Sequence, residues 1–171
     1  MWYVIQVHTG TEEKVCRQCG QIIDRSILER CFIPRFQQKK RFLGEWHMQN
    51  EILFPGYVFL ISDYPDDLAE SLRRVIGMTK LLKTGEEITP LAPQEIGLLQ
   101  KLGKEDQEIE MSTGIIEGDR VQILTGPLLG MEGMIKKIDR HKRMAYLDVE
   151  MFGRTVEMRV GLEIIKKEKQ K

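Results

Sequence analysis

The sequence lacks the features that mark several large classes of protein. It has no run of about 18 apolar residues, which argues against a transmembrane helix. It also lacks a phosphate-binding glycine loop and an HExxH motif, and its three histidines are scattered without a partnered nucleophile. Nothing in these patterns supports catalysis, and we expect the protein not to be an enzyme.

Cysteine is scarce, with Cys16, Cys19 and Cys31 as the three present. An odd number argues against a disulfide framework. Cys16 and Cys19 have the spacing of metal and redox sites, but both fall on the apolar face of a predicted helix, and no second pair completes a zinc site. We therefore predict buried thiols, no metal and no cofactor. A thiol enzyme that uses Cys16 or Cys31 is a separate hypothesis, and a low thiol pKa would support it.

Net charge is absent as well, because 26 basic residues balance 26 acidic ones. The distribution is uneven, since residues 114–171 hold 12 Lys and Arg against 9 Asp and Glu. A neutral total can therefore hide a basic site. The first residues enter a strand pattern directly instead of a signal sequence, so we expect a cytoplasmic protein with no membrane partner.

Hydrophobic periodicity predicts an α+β domain over residues 1–103. Residues 2–7 predict a strand, and Thr9 and Glu12, at capping-box spacing, introduce an amphipathic helix from about Thr11 to Ile23. Residues 31–42 and 52–61 predict two further strands. With two later helices and a short strand, the order is β-α-β-β-α-β-α around a mostly antiparallel sheet.

A second domain is predicted over residues 115–171. Residues 104–114 are acidic and poor in large apolar side chains, which predicts a linker. After it come five short apolar segments separated by glycine or charged turns, at residues 119–124, 133–138, 144–151, 155–160 and 162–165. Five closely spaced strands predict a small β-barrel.

Several motifs, in this order along the chain, resemble NusG-type transcription elongation factors. WYVIQVHTGTEEKV (residues 2–15) and LFPGYVFL (53–60) are similar to the N-terminal domain of that family. GDRVQILTGPLLGMEGMIKKI (118–138) and FGR (152–154) are similar to its C-terminal KOW domain. CFIPRF, GEW and TPLAPQEI further resemble the specialised LoaP group of antiterminators.

The resemblance implies a factor that acts on transcription elongation and antitermination. The family's N-terminal domain binds the clamp helices of the largest RNA polymerase subunit and reduces pausing. Its KOW domain contacts a second partner, and for this protein we expect that partner to be a structured RNA, such as a leader hairpin. We also expect the protein to be a monomer. One alternative is a housekeeping factor whose KOW domain binds Rho or a ribosomal protein. Another is a ribosome-associated KOW protein that binds ribosomal RNA, which would explain residues 115–171 alone.

The most apolar segment is interrupted by Pro55-Gly56, and such a pair bends a strand and breaks its ladder. The bend is expected to turn neighbouring aromatic residues into an apolar groove, which an amphipathic helical hairpin of the polymerase would occupy. The alternative is that these aromatic residues are ordinary core. The predicted polymerase-binding residues are Trp2, Tyr3, Phe54, Pro55, Gly56, Tyr57 and Ile76.

Two basic segments are predicted to contact nucleic acid. The family resemblance implies that Lys39, Lys40 and Arg41, joined by Arg17, face the non-template DNA strand; the alternative is a solvated hairpin tip. In KKIDRHKR (136–143) five of eight residues are Lys or Arg, and a basic turn suits an RNA groove. The alternative for this segment is a solubilising turn. The predicted RNA-binding residues are Lys136, Lys137, Arg140, His141, Lys142, Arg143 and Arg154.

Overall fold

The structure is a computed structural model, and it describes residues 1–84 and 87–168. In chain order its helices and strands are β1 (Trp2–Val7), α1 (Glu12–Ile22), β2 (Arg30–Phe32), β3 (Arg35–Phe42), β4 (Glu45–Ile52), β5 (Tyr57–Ile61), α2 (Pro65–Leu72), β6 (Met78–Leu81), β7 (Lys83–Thr84), β8 (Glu87–Ile88), α3 (Pro93–Gly103), β9 (Glu108–Ile109), β10 (Ser112–Glu117), β11 (Arg120–Thr125), β12 (Ile135–Asp139), β13 (Met144–Met151) and β14 (Arg154–Glu168).

The chain divides into two compact units that differ from the predicted domains. The first unit comprises residues 1–33 and 54–96, and the second comprises residues 34–53 and 97–171. The difference arises because the β3–β4 hairpin pairs with β9, which lies in the predicted linker, and therefore belongs to the second unit. The domain boundaries at residues 103 and 115 stay a prediction.

The first unit is built on an antiparallel sheet in the order β2-β5-β1-β6. One face of this sheet carries Tyr3, Ile5 and Val7, which pack in a buried cluster with Val15 of α1 and Leu68 of α2. Apolar side chains at helical spacing on α1 and α2 supply the other half of that core, as the sequence pattern predicts. The predicted mostly antiparallel α+β fold is confirmed.

Two of the predicted strands are each interrupted by a proline. The predicted strand over 31–42 ends at Phe32 and restarts at Arg35 in a different sheet, on either side of Pro34. The predicted strand over 52–61 is also wrong, because β4 ends at Ile52 and β5 begins at Tyr57. Pro55-Gly56 therefore forms a turn between two sheets, where proline needs no ladder partner and Gly56 takes a φ of +87°.

Glu12 holds this turn from the first turn of α1. Its side chain is 1% exposed; one carboxylate oxygen accepts the Gly10 N–H at 2.6 Å, and the other accepts the Gly56 N–H at 3.1 Å. The capping-box partner expected from the sequence was Thr9, so the observed partners correct that prediction. A buried carboxylate satisfied by two backbone donors ties the start of α1 to the Pro55-Gly56 turn.

The second unit contains a five-stranded sheet in the order β11-β10-β14-β13-β12 and a smaller sheet in the order β4-β3-β9. β13 has the predicted bounds, whereas the predicted strands over 155–160 and 162–165 are one long strand, β14. β10 begins inside the predicted linker and pairs with both β11 and β14. The sequence did not reveal β10, because the strand starts with polar residues and contains Gly114. A Cβ at Gly114 would lie 2.8 Å from the Gln122 carbonyl oxygen, so the close packing of β10 against β11 requires glycine.

We predict that Glu12→Ala lowers the free energy of unfolding by about 1–3 kcal/mol, because it leaves two N–H groups without their acceptor. Urea unfolding followed by circular dichroism measures the change. Lys14→Ala, at an exposed position of the same helix, is the matched control and should cost much less. Equal costs for the two variants would contradict the role assigned to Glu12.

Candidate functional site: a basic cleft and an aromatic face

The β3–β4 hairpin presents the first basic segment. Its strands pair in register from Arg35 with Ile52 to Phe42 with Glu45, and they are joined at Leu43-Gly44. Leu43 takes a φ of +51° and Gly44 a φ of +80°, the left-handed conformations of a tight hairpin turn. The basic triplet therefore lies on the last part of β3, where exposure increases toward the tip.

Glu163 on β14 connects this hairpin to the turn between β12 and β13. Its carboxylate accepts from the Lys39 ammonium at 2.7 Å and from the Arg143 guanidinium at 3.1 Å. Both pairs are only about a quarter exposed. The hydrogen bond from Lys39, reinforced by the charges of Lys39 and Arg143, lowers the pKa of Glu163 below its ordinary value. Water screens such a pair less than one on the open surface.

A cation–π contact reinforces the same connection. The Arg143 guanidinium lies over the Trp46 ring, with its central carbon 3.7 Å from the ring centroid. β14 passes close to β3 at the same place. The approach is so close that a Cβ at Gly161 would overlap the Gln37 carbonyl oxygen and the Met111 sulfur. Glycine at this position permits the approach that brings Glu163 within reach of Lys39.

Between the hairpin and the β12–β13 turn lies a cavity of about 590 Å³, which we call the basic cleft. It brings together parts of the two basic segments that the sequence predicted separately. It also adds Trp46, Glu51 and Arg159, which sequence reasoning did not assign to a site. Trp46 entered only as part of the GEW motif, and no local pattern marks Glu51 or Arg159. The cleft is lined by Gln38, Lys39, Lys40, Arg41, Trp46, Glu51, His141, Lys142, Met144 and Arg159.

The other residues of the second basic segment have different surroundings. Lys136 donates to Asp148 and lies 2.8 Å from both Asp148 and Glu157, and hydrogen bonds to these carboxylates raise its pKa. Lys137 lies over the Tyr146 ring at 5.2 Å. Arg140 and Arg154 are exposed and do not line the basic cleft. The predicted RNA-binding set is therefore divided among several surroundings.

The predicted polymerase-binding residues lie mostly on one aromatic face of the first unit. Trp2 meets Phe32 edge-on at 5.1 Å, Phe32 packs against Phe59 at 5.5 Å, and Phe54 stacks on Phe59 at 6.2 Å. Trp2 is partly exposed, whereas Phe54 is buried. Phe54 therefore supports this face from beneath, and the prediction that the Pro-Gly bend turns it outward is wrong.

Two further predicted residues depart from the aromatic face in opposite ways. Including Tyr3 in the groove is wrong, because adjacent strand residues point to opposite faces and Tyr3 belongs to the helix-covered core. Ile76 is 78% exposed on a loop that Gln18 holds through hydrogen bonds to its backbone N–H and carbonyl groups. Tyr57 is buried and its hydroxyl accepts from the Gln6 amide at 3.1 Å.

Arg17 and the thiols lie in the first unit. Arg17 is exposed on α1, whereas Lys39, Lys40 and Arg41 belong to the second unit. Cys19 is buried as predicted, while Cys16 and Cys31 are partly buried. Hydrogen bonds with Cys16 and Cys19, together with burial, raise the pKa of Cys31, the opposite of an activated nucleophile.

Over residues 1–84 and 87–168 no group of three or more Cys, His, Asp or Glu side chains is arranged to hold a metal ion. None of the helices in that part is long and apolar enough to cross a bilayer.

We predict that Glu163→Gln destabilises the protein by about 1 kcal/mol near neutral pH, because the paired carboxylate is lost. Since the pKa of Glu163 is lowered from 4.5 in the folded state, its contribution is complete above that value and disappears as the pH falls through the folded pKa. Urea unfolding at about pH 7 and about pH 3 should therefore show a difference at neutral pH that shrinks in acid. Glu117→Gln, at an exposed position of β10, is the control; if it behaved like Glu163→Gln, the pH dependence would not come from this pair.

Comparisons with known proteins agree with this architecture. The family model described as transcription termination factor nusG matches residues 1–100, and the KOW motif model matches residues 117–149. The transcription termination/antitermination protein NusG of Halalkalibacterium halodurans is 28% identical, over 98% of this chain and 97% of its own. The protein of the same name from Staphylococcus carnosus is 25% identical, over 97% of this chain and 94% of its own.

A solved structure of Thermotoga maritima NusG, described as showing a domain interaction, superposes with a TM-score of 0.62 at 25% identity. The match covers 95% of this chain and 93% of that one. The NusG family model spans more than half of the chain, and the KOW motif follows it. The order of the motifs and the fold both agree with membership of that family. The chain belongs to the NusG family of transcription termination and antitermination factors.

Proposed function

We propose that this protein binds RNA polymerase through its N-terminal region and suppresses pausing and termination during elongation. The observation that carries the proposal is the match of residues 1–100 to the family model, followed in the same chain by a KOW motif. The relatives compared above are named for termination and antitermination. The docking partner we propose is the pair of clamp helices of the largest polymerase subunit.

The proposed docking surface is the aromatic face with Trp2 at its accessible edge, together with the exposed Ile76 loop. A helical hairpin of the polymerase offers apolar side chains that fit such a surface. The buried residues Phe54 and Tyr57 contribute by fixing the Pro55-Gly56 turn. Ile76 contributes directly. Its large apolar side chain is exposed to solvent on a loop fixed by hydrogen bonds to Gln18, and burying it against a partner would be favourable.

We propose a specialised, LoaP-like role in which the KOW region binds a structured leader RNA. The support is the basic segment at residues 136–143, where Arg140, His141 and Lys142 are exposed at the turn. Lys136 and Arg143 already form ion pairs with carboxylates, so we assign them mainly to positioning this turn. Lys137 and Arg154 remain candidate phosphate contacts, and Arg17 a candidate contact to non-template DNA.

Recovery of both macromolecules by the full-length protein tests this function. Immobilised protein should retain purified core RNA polymerase. In a separate assay it should retain a hairpin RNA taken from the leader of a transcript encoded next to the gene for this protein. Retention of polymerase together with Rho or a ribosomal protein, but not RNA, would indicate the housekeeping type of factor. Failure to retain polymerase would contradict the proposed function.

We predict that Ile76→Asp lowers the affinity for RNA polymerase by roughly tenfold or more, because a charge is placed in an apolar contact. The fold should be unaffected, since Ile76 is exposed and its loop is held by backbone hydrogen bonds. Leu129→Asp, which changes an exposed leucine of the second unit, is the matched control. Fluorescence anisotropy with labelled protein measures both; unchanged binding by Ile76→Asp would remove this loop from the docking surface.

A further inference from the structure

The basic cleft has the charge of a site for a polyanion. Its lining includes five Lys and Arg side chains and one carboxylate, Glu51. Lys39 pairs with Glu163 and Lys40 pairs with Glu51 at 2.7 Å. Within the part of the chain that the structure describes, no ion pair involves Arg41, Lys142 or Arg159. These three cations come from β3, the β12–β13 turn and β14, so different segments converge on the same space.

The cleft also has an aromatic platform. Trp46 is 40% exposed and lines the cleft, while the Arg143 guanidinium covers part of its ring system. Sites for single-stranded nucleic acid combine cations that follow the backbone with aromatic rings on which bases stack. A volume of about 590 Å³ falls in the range of small-ligand pockets, which suits an unpaired nucleotide better than a double helix.

Acceptors in the cleft favour RNA over DNA. Glu51, whose Oε1 pairs with Lys40, lines the cleft, and so does the amide of Gln38. A carboxylate or amide oxygen can accept a hydrogen bond from a ribose 2′-hydroxyl, which DNA lacks. The same carboxylate would only weaken binding to a ligand that presents phosphates alone.

We infer that the basic cleft binds single-stranded RNA, with one base stacked on Trp46 and neighbouring phosphates bound by Arg41, Lys142 and Arg159. This rests on the proposed function as an RNA-binding factor and extends it. The β3–β4 hairpin, whose basic triplet the family resemblance assigned to DNA, supplies one wall of the RNA site, and the KOW turn supplies the other.

The test uses full-length protein and a fluorescent oligouridylate of about 12 nucleotides, a length within the usual range of single-strand sites. Trp46→Ala should weaken binding roughly 5- to 150-fold, the range for loss of one stacked base, whereas Trp46→Phe should retain most of the affinity. Arg41→Gln and Lys142→Gln should each reduce the slope of log affinity against log salt by about 0.7, as expected when one phosphate interaction is removed.

Matched controls separate local contacts from general charge. Lys80→Gln changes an exposed lysine on β6 of the first unit and should leave both affinity and salt slope nearly unchanged. Oligodeoxyuridylate of the same length tests the sugar and should bind more weakly than oligouridylate. Thermal unfolding of each variant verifies its fold. If Trp46→Ala is unstable, Arg41→Gln decides whether the hairpin takes part in the site, because Trp46→Phe is expected to keep most of the affinity.

The outcomes distinguish this inference from the function on which it rests. Loss of binding on Lys142→Gln, with no effect of Arg41→Gln or of either Trp46 variant, would place the RNA on the KOW turn alone and overturn the shared cleft. A wild-type protein that binds a leader hairpin but not oligouridylate would also overturn it, while the proposed function would stand. Equal affinity for oligodeoxyuridylate would overturn the assignment to RNA. Binding to neither RNA would contradict both this inference and the proposed RNA-binding role of the KOW region, while the proposed binding to RNA polymerase would stand.

Discussion

Glu163 accepts hydrogen bonds from Lys39 and Arg143, which lie about a hundred residues apart in the sequence. Lys39 lies on β3 and Arg143 on the β12–β13 turn, and an isolated surface ion pair at either place would contribute little. Here the two share one partly buried carboxylate, and the Arg143 guanidinium also lies over Trp46. The consequence is geometric, because these contacts hold the β3–β4 hairpin beside the β12–β13 turn, and residues of these two segments line the basic cleft.

The first unit follows a different physical constraint. Its aromatic face is positioned by a buried carboxylate, Glu12, whose two backbone bonds hold α1 against the Pro55-Gly56 turn. A buried carboxylate is tolerated where strong hydrogen-bond donors replace water. Here the two backbone N–H groups offset the free-energy cost of desolvating Glu12, and the same bonds fix the conformation of the turn. The turn ends one sheet and starts another, and it keeps Phe54 beneath the partly exposed Trp2. The accessible part of the face is therefore small, supported by a rigid and well-packed base.

Periodicity in the sequence was enough to predict the elements whose contacts are local. The amphipathic pattern after residue 11 predicted α1, and a short apolar segment over residues 144–151, bounded by a charged turn and a glycine turn, predicted β13. It did not reveal the breaks at Pro34 and at Pro55-Gly56, because an apolar run does not say to which sheet each half belongs. β10 escaped notice because Gly114 serves close packing against β11, and because the other edge of β10 pairs with β14, which is distant in the sequence.

The basic segments were visible in the sequence, but their convergence was not. Trp46 was noted only as part of the GEW motif and Arg159 not at all, and only the folded chain places them in one cleft with Arg41 and Lys142. Photo-crosslinking of full-length protein to an oligouridylate that contains 4-thiouridine, followed by mass spectrometry, tests this shared cleft most directly. The account predicts crosslinks from one RNA to both the hairpin, at or next to Trp46, and the β12–β13 turn, at His141 or Lys142. Crosslinks confined to either segment alone would contradict it.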